Sequence, residues 1–340
     1  MKDKLMGKLS FLFRRIRYMH YDKFFATAKQ ISEKTGKARI SVLFDMAGCA
    51  IRYGAGYVDY RIAEMYRLSP SQRKTVITRG ISNRIVAEMN PKEYWHFFDN
   101  KTEFNKLFAE YVKRGWFDLK NGTKEEFSKW LEDKDVIVAK PLDGSSGRGV
   151  KKIRPEKYRG NPDFYEELKA DGTGIVEECV IQHEDINRIN PSSVNTVRIV
   201  TLNGPKKNGI VYACIRIGQN GTDMDNVDCG GMACRIDLDS GIICTPGADK
   251  QGNVYECHPE SGVKLEGFTI PYFAEAKEMC LEAAKKVPQM RYIAWDVAIT
   301  PDGPVFIEGN SFPSHAVPQF SDFYKDGIGI MPRYREFIDV

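Results

Sequence analysis

The chain has no apolar run long enough to cross a bilayer and no secretory core, so neither an integral membrane protein nor an exported one is expected. It has no Cys-x-x-Cys pair, and its eight cysteines, spread over 340 residues, fit no disulfide framework. Reduced thiols in a cytoplasmic protein are the plain expectation. Cys229, Cys234, Cys244 and Cys257 with His258 are spaced unlike a zinc site, and Cys214 and Cys234 fall in strand-like runs. Asp223, Asp225 and Asp228 fail as a calcium loop, because the position that needs Glu is Cys234. The net charge of +4 is too mild to imply a nucleic-acid partner. Internal repeats and low-complexity segments are absent too. With 42% hydrophobic residues, what remains is a chain able to bury a large core, divided into two or three domains.

The mild charge is unevenly spread. Residues 1–40 hold eleven Lys or Arg against Asp3, Asp22 and Glu33, a local net of +8. Within 4–19, Leu5, Leu9, Leu12, Ile16 and Met19 recur at helical spacing, while Lys4, Lys8, Arg14, Arg15 and Arg17 add cation without acid. Two readings fit: a basic helix on an anionic membrane surface, placing the protein at the inner face of the membrane, or a helix packed on the body with a solvated basic face.

The strongest chemical signal lies near the other end. Tyr292 to Ile299 and Pro304 to Asn310 alternate with a period of two around Thr300-Pro301-Asp302-Gly303, the pattern of a β-hairpin. A three-residue loop at 301–303 sets Asp296 opposite Glu308, with Asn310 further along the same face. Paired Cβ atoms lie roughly 5 Å apart, so two carboxylates there repel. Such a cluster calls for a cation, and all-oxygen donors favour Mg²⁺. The plainer alternative is an exposed acidic face.

A second signal is Val136-Ile137-Val138-Ala139-Lys140-Pro141 leading into Asp143-Gly144-Ser145-Ser146-Gly147-Arg148-Gly149. Glycines of this kind let backbone N–H groups approach phosphate oxygens. The lysine precedes the glycines, so this is no Walker A loop, and the strand-like Val150 to Ile153 that follows rules out a dinucleotide fingerprint. The reading is strand, glycine flap, strand, with Lys140 aimed at phosphate; the bland alternative is an ordinary glycine-serine turn.

In their order along the chain, Lys140 with its flap, Ile175 to Val180, Asp296 and Glu308-Gly309-Asn310-Ser311-Phe312-Pro313 resemble the ATP-grasp superfamily. Asn190-Pro191-Ser192-Ser193-Val194-Asn195-Thr196-Val197-Arg198 resembles its sugar-transfer-associated branch, related to α-L-glutamate ligases. The resemblance implies an α+β ATP-grasp fold, in which two lobes clasp ATP and Mg²⁺ bridges its phosphates. It also implies roles. Lys101 and Lys140 would bind ATP, and Gly144, Ser145, Ser146, Gly147 and Gly149 would cover its phosphates. Glu178, Cys179 and Val180 would read the adenine edge, with Gln182 or Glu184 at the ribose. Asp296, Glu308 and Asn310 match the metal ligands. Where several superfamily ligases carry an arginine, this chain has Ala294, so Arg198 and Arg216 become the candidate catalytic cations.

The expected layout is a mostly helical N-terminal region over 1–95, a first lobe over 96–181 and a second lobe over 182–340. Strands are expected near 136–140, 150–153, 174–179, 194–202, 209–217, 231–237, 241–246, 291–299 and 304–309. Helices are expected at 104–111, 123–132, 162–169 and 272–286. Tyr53, Tyr57, Tyr60 and Tyr66 recur at helical intervals and read as packing residues. The implied activity is ligation of a carboxylate to an amine through an acylphosphate, joining an amino acid or amine to a sugar acid or related carboxylate in polysaccharide or glycoconjugate assembly. Arg198 would grip the substrate carboxylate in a bidentate pair, and the loop 218–231 would close over it. The alternatives are a kinase on the same scaffold and a non-catalytic nucleotide-binding scaffold.

Overall fold

The structure, a computed structural model, describes residues 20–142, 149–161 and 163–340. The amphipathic stretch 4–19 lies outside the described residues. The chain forms two compact units, one of residues 1–85 with 319–335 and 340, the other of residues 86–318 with 336–339.

The first unit is helical in its described residues, as expected of the N-terminal region. Helices Tyr21–Thr35 and Arg39–Tyr53 both stop at a glycine in the left-handed region, Gly36 (φ 71°) and Gly54 (φ 66°), where any side chain would be strained. Ile31, Val42, Met46, Tyr60, Met65 and Tyr66 build its core. The tyrosines at 60 and 66 therefore pack, and their hydroxyls end on acids: Tyr60 donates to Asp45 and Tyr66 to Glu64, each at 2.5 Å. Asp45 is in turn gripped by both Nη atoms of Arg73 at 2.7 Å.

Residues 319–335, expected in the second lobe, belong to this unit instead. The Gln319 side chain accepts from Ile77 N (2.7 Å) and donates to Ile77 O (2.8 Å), while Met331 N donates to Thr75 O (2.9 Å). These bonds reach the backbone of a segment some 250 residues away, and no local pattern announces them.

The second unit contains two antiparallel sheets. The smaller has the order β1-β4-β2-β3, from strands β1 (Trp116–Asp118), β2 (Ile137–Lys140), β3 (Lys151–Ile153) and β4 (Ile175–Glu178). The larger has the order β11-β10-β5-β6-β7-β8-β9. Its strands are β5 (Val197–Asn203), β6 (Asn208–Ile217), β7 (Met232–Ile236), β8 (Gly247–Ala248), β9 (Val254–Tyr255), β10 (Tyr292–Thr300) and β11 (Gly303–Asn310). Most expected strands are present. The one near 241–246 is not: Ile242 and Ile243 make only isolated bridges, and a short helix, Glu184–Ile189, stands where none was expected. The helix expected at 104–111 is split into Lys101–Leu107 and Ala109–Val112.

Period-two alternation along β10 sends Ile293, Trp295, Val297 and Ile299 into the main core, where the Trp295 and Phe306 rings stack with centroids 4.8 Å apart. Gly309 permits that packing, since a Cβ there would sit 2.8 Å from both Phe98 and Phe104. The same alternation turns Asp296 to the opposite face.

Candidate active site

The hairpin pairs Asp296 with Glu308 and Ala294 with Asn310. The register is reached differently from the sequence expectation. Thr300 pairs with Gly303, so the turn has two residues, and a bulge beyond Asp296 takes up one residue of β11 and restores the pairing. A bulge of this kind beside a cluster of polar side chains re-aims them without breaking the sheet.

Asp296 is fully buried and directly opposite Arg198 on β5. Arg198 grips it side-on, Nε to Oδ1 at 2.7 Å and Nη2 to Oδ2 at 2.8 Å, and Arg216 Nη2 adds a third bond to Oδ2 at 2.9 Å. Burial pushes the Asp296 carboxyl up, but the two guanidinium groups more than reverse it and hold it at about 2. The expected need for a cation is therefore met for Asp296 by protein. It also corrects the role expected of Arg198: the guanidinium edge that would seize a substrate carboxylate side-on is already occupied.

Glu308 differs. It is only half-buried and shares a hydrogen bond with Asp296; burial and the Asp296 charge raise its pKa, opposed by Arg216, Lys101 and Lys140. Asn310 turns its amide nitrogen toward Asp296 Oδ2 and Ala294 O, both at 3.4 Å, which leaves its carbonyl oxygen without a partner among the described residues. A half-buried carboxyl with a raised pKa, an amide oxygen and the edge of a second carboxylate form a hard oxygen donor set that fits Mg²⁺. Among the described residues no group of three or more His, Cys, Asp or Glu is arranged to hold a metal ion.

A second polar centre lies at the end of β2. Lys140 Nζ donates to Glu177 Oε2 (2.5 Å), which also accepts from Arg114 Nη2 (2.9 Å), while Asn105 Nδ2 donates to Oε1 (2.7 Å). Burial pushes the Glu177 carboxyl up, but Arg114 and Lys140 outweigh it and bring it down to about 2. Arg114 then donates to the carbonyls of Phe306 and Ile307 on β11. One buried carboxylate thus ties the lysine of the smaller sheet to the hairpin that carries Glu308. Neither Glu177 nor Arg114 was singled out from sequence. The available signal was the diagonal, same-face placement of Lys140 and Glu177 across β2 and β4, and it needs a register that only the fold supplies.

Glu178 faces the other way, toward Lys134 Nζ (2.8 Å) and Gly115 N (2.6 Å). The backbone N–H groups of Glu178 and Cys179 are spent on Gly115 O and Val136 O, so of the expected adenine-reading stretch only Val180 has an N–H without a backbone partner among the described residues. Gln182 is a further correction. It is buried and fully engaged, donating to Ser193 O (2.7 Å) and Asn187 Oδ1 (3.0 Å) and accepting from Asn195 N (2.6 Å), so it is a structural knot and not a ribose contact. Glu184 is exposed at the start of its helix.

Lys101 opens a helix capped by Asn100 and reaches Leu142 O (3.3 Å), the last described residue before the flap. Gly149 closes the flap in the left-handed region (φ 75°). Gly144, Ser145, Ser146 and Gly147 lie outside the described residues. The loop 218–231, expected to close over substrate, is anchored at several points along its length. Gly218 O accepts from Asn190 Nδ2 (3.1 Å) and meets His258 Nε2 (2.8 Å), and Asp225 accepts from Thr196 N (3.0 Å).

Residues 81–333 match the family described as sugar-transfer associated ATP-grasp. No curated protein matches. Among solved structures the chain is similar to D-cycloserine synthetase DcsG, at 11% identity and a TM-score of 0.42, covering 76% of this chain and 77% of that one. A D-alanine–D-alanine ligase from Bacillus anthracis gives 12% identity and a TM-score of 0.42 over 75% and 73% of the two chains. A biotin carboxylase complex from Campylobacter jejuni gives 12% and 0.47 over 77% and 52%. The matched segment is most of the chain and contains Lys140, Glu177, Arg198, Asp296, Glu308 and Asn310: the protein belongs to the sugar-transfer associated ATP-grasp family.

Proposed function

We propose that the protein is an ATP- and Mg²⁺-dependent ligase that joins a carboxylate to an amine through an acylphosphate. The observation that carries this reading is the cluster on β10 and β11. Asn310 keeps its carbonyl oxygen uncommitted beside the buried Asp296, Glu308 shares a hydrogen bond with that carboxylate, and Arg216, Lys101 and Lys140 bear electrostatically on Glu308. Glu308, Asn310 and the edge of Asp296 would hold Mg²⁺, which when bound neutralises phosphate charge.

A carboxylate oxygen of the substrate attacks the γ-phosphorus, the bond to the β,γ-bridging oxygen breaks, and ADP leaves. The amine then attacks the acyl carbon, phosphate departs with its electron pair, and the amine loses a proton, leaving an amide. Lys140 and Lys101 would lie over the phosphates with the flap from Gly144 to Gly149, and Val180 and Glu184 would hold the nucleoside. Arg198 and Arg216 act differently from a free clamp. Locked on Asp296, with Arg216 also paired to Asp225 (3.4 Å), they would hold the carboxylate edge beside the metal donors in place and orient their N–H dipoles toward the transferred phosphoryl group. The family description supports a carboxylate drawn from sugar chemistry, with polysaccharide or glycoconjugate assembly as the setting. The cationic stretch 4–19 would bring the enzyme to an anionic membrane face.

Hydroxylamine tests the reaction. With ATP, Mg²⁺ and a panel of uronic and amino acids, an acylphosphate is intercepted as a hydroxamate, with ADP and free phosphate. A stable phosphomonoester formed in equal amount with ADP, and no free phosphate, would establish a kinase instead.

A further inference from the structure

The helix Arg39–Tyr53 is apolar on two opposite sides. Val42, Met46 and Cys49 are buried in the core of the N-terminal unit. About half a turn away, at about 100° per residue, Ile40, Phe44 and Ile51 form a second stripe. Their exposures are 60%, 72% and 70%, and Ala47 and Gly48 between them are exposed as well, so the stripe is continuous. The preceding helix adds Tyr21 and Phe25, one turn apart and 46% and 44% exposed, and Arg39 Nη2 reaches Phe25 O (3.4 Å) to tie that pair to the start of the stripe. One apolar face accounts for a helix packed on its own unit; a second, contiguous and outward, calls for a second apolar partner.

Charge identifies that partner. Every exposed charged residue of the Arg39–Tyr53 helix is cationic, Arg39 at its start and Arg52 at its end. Its one acid, Asp45, is partly exposed, with its charge offset by the ion pair to Arg73. A second copy meeting the first through this face, or the cationic stretch 4–19 folding back on it, would set like charges against Arg39 and Arg52. An apolar stripe between cationic ends is matched by a surface that is anionic outside and apolar within.

We propose that the outward face of the Arg39–Tyr53 helix, with Tyr21 and Phe25, docks on a membrane surface carrying anionic lipid. This deepens the membrane reading given for 4–19 but uses different residues, so the two can fail separately. The test is sedimentation of the full chain with vesicles of phosphatidylcholine, alone or mixed with phosphatidylserine. The chain should sediment with the mixed vesicles only, and Phe44→Ser/Ile51→Ser should weaken binding about tenfold or more, with the unfolding midpoint unchanged because both side chains are exposed. Leu9→Ser/Leu12→Ser in the full chain probes the other segment. Three results would overturn the proposal: no sedimentation of the full chain, binding lost in the Leu9/Leu12 variant yet untouched in the Phe44/Ile51 variant, or a dimer that the Phe44/Ile51 variant splits without any vesicle binding.

Discussion

Asp296→Asn and Glu308→Gln, paired across one hairpin, should abolish turnover alike, yet only the first should lower stability. Asp296 is the counter-ion of two buried arginines, held by three bonds of 2.7–2.9 Å. Its neutral replacement leaves Arg198 and Arg216 without that charge, and breaking a buried ion pair from one side costs roughly 3–5 kcal/mol. In a unit of this size each kcal/mol is worth about 2–4 °C, so the unfolding midpoint should fall by about 10 °C. Glu308 carries charge at a cost, since burial and Asp296 raise its pKa. A group whose folded pKa is raised gives a folded state that binds more protons, so without metal its ionisation erodes stability as pH rises above its usual 4.5. Glu308→Gln should remove that erosion and leave the midpoint at neutral pH unchanged or higher. Differential scanning calorimetry without Mg²⁺, beside ATP turnover with it, reads both effects. An Asp296→Asn midpoint within experimental error of the parent would show that the arginines do not depend on Asp296, and full turnover in both variants would remove the hairpin from the active site.

Lys140→Ala should weaken nucleotide binding by calorimetry much more than Lys152→Ala, because Lys140 closes the Glu177 cluster whereas Lys152 is exposed on β3. Equal affinities would refute the phosphate assignment. Glu177, held at about 2 against a usual 4.5, contributes stability that is complete above pH 4.5 and is lost as pH falls toward 2, an amount of roughly 3 kcal/mol. Acid titration of the Glu177→Gln variant should show a shallower loss over that window. Gly309→Ala drives a methyl to within 2.8 Å of Phe98 and Phe104 and should cost about 1–3 kcal/mol by denaturant melts. A melt indistinguishable from the parent would mean that the aromatic core yields there.

What could be read in the sequence was local. Alternation around Pro301-Asp302 identified the hairpin and placed Asp296 against Glu308, although the turn is one residue shorter than expected and the bulge supplies the difference. The same evidence could not reveal what neutralises Asp296, because Arg198 and Arg216 come from strands some 80–98 residues away, and their register follows from burial of whole strands on both faces. The expectation that two facing acids require a cation was sound; that two guanidinium groups would supply most of it is a property of the assembled sheet. Gln182 shows the converse. A polar residue just past a strand end looks available when seen in sequence, and only the fold reveals that Ser193, Asn187 and Asn195 consume it. Arg114 combines both lessons. It lies beyond the end of a short helix, in no motif, yet it joins Glu177 to the carbonyls at the β11 bulge. β11 is the edge strand of its sheet, so its outward carbonyls have no strand partner, and a buried arginine with its carboxylate partner is well suited to satisfy them. The outer edge of the hairpin thus supplies the acceptors through which the lysine end of the site is held to the acid end.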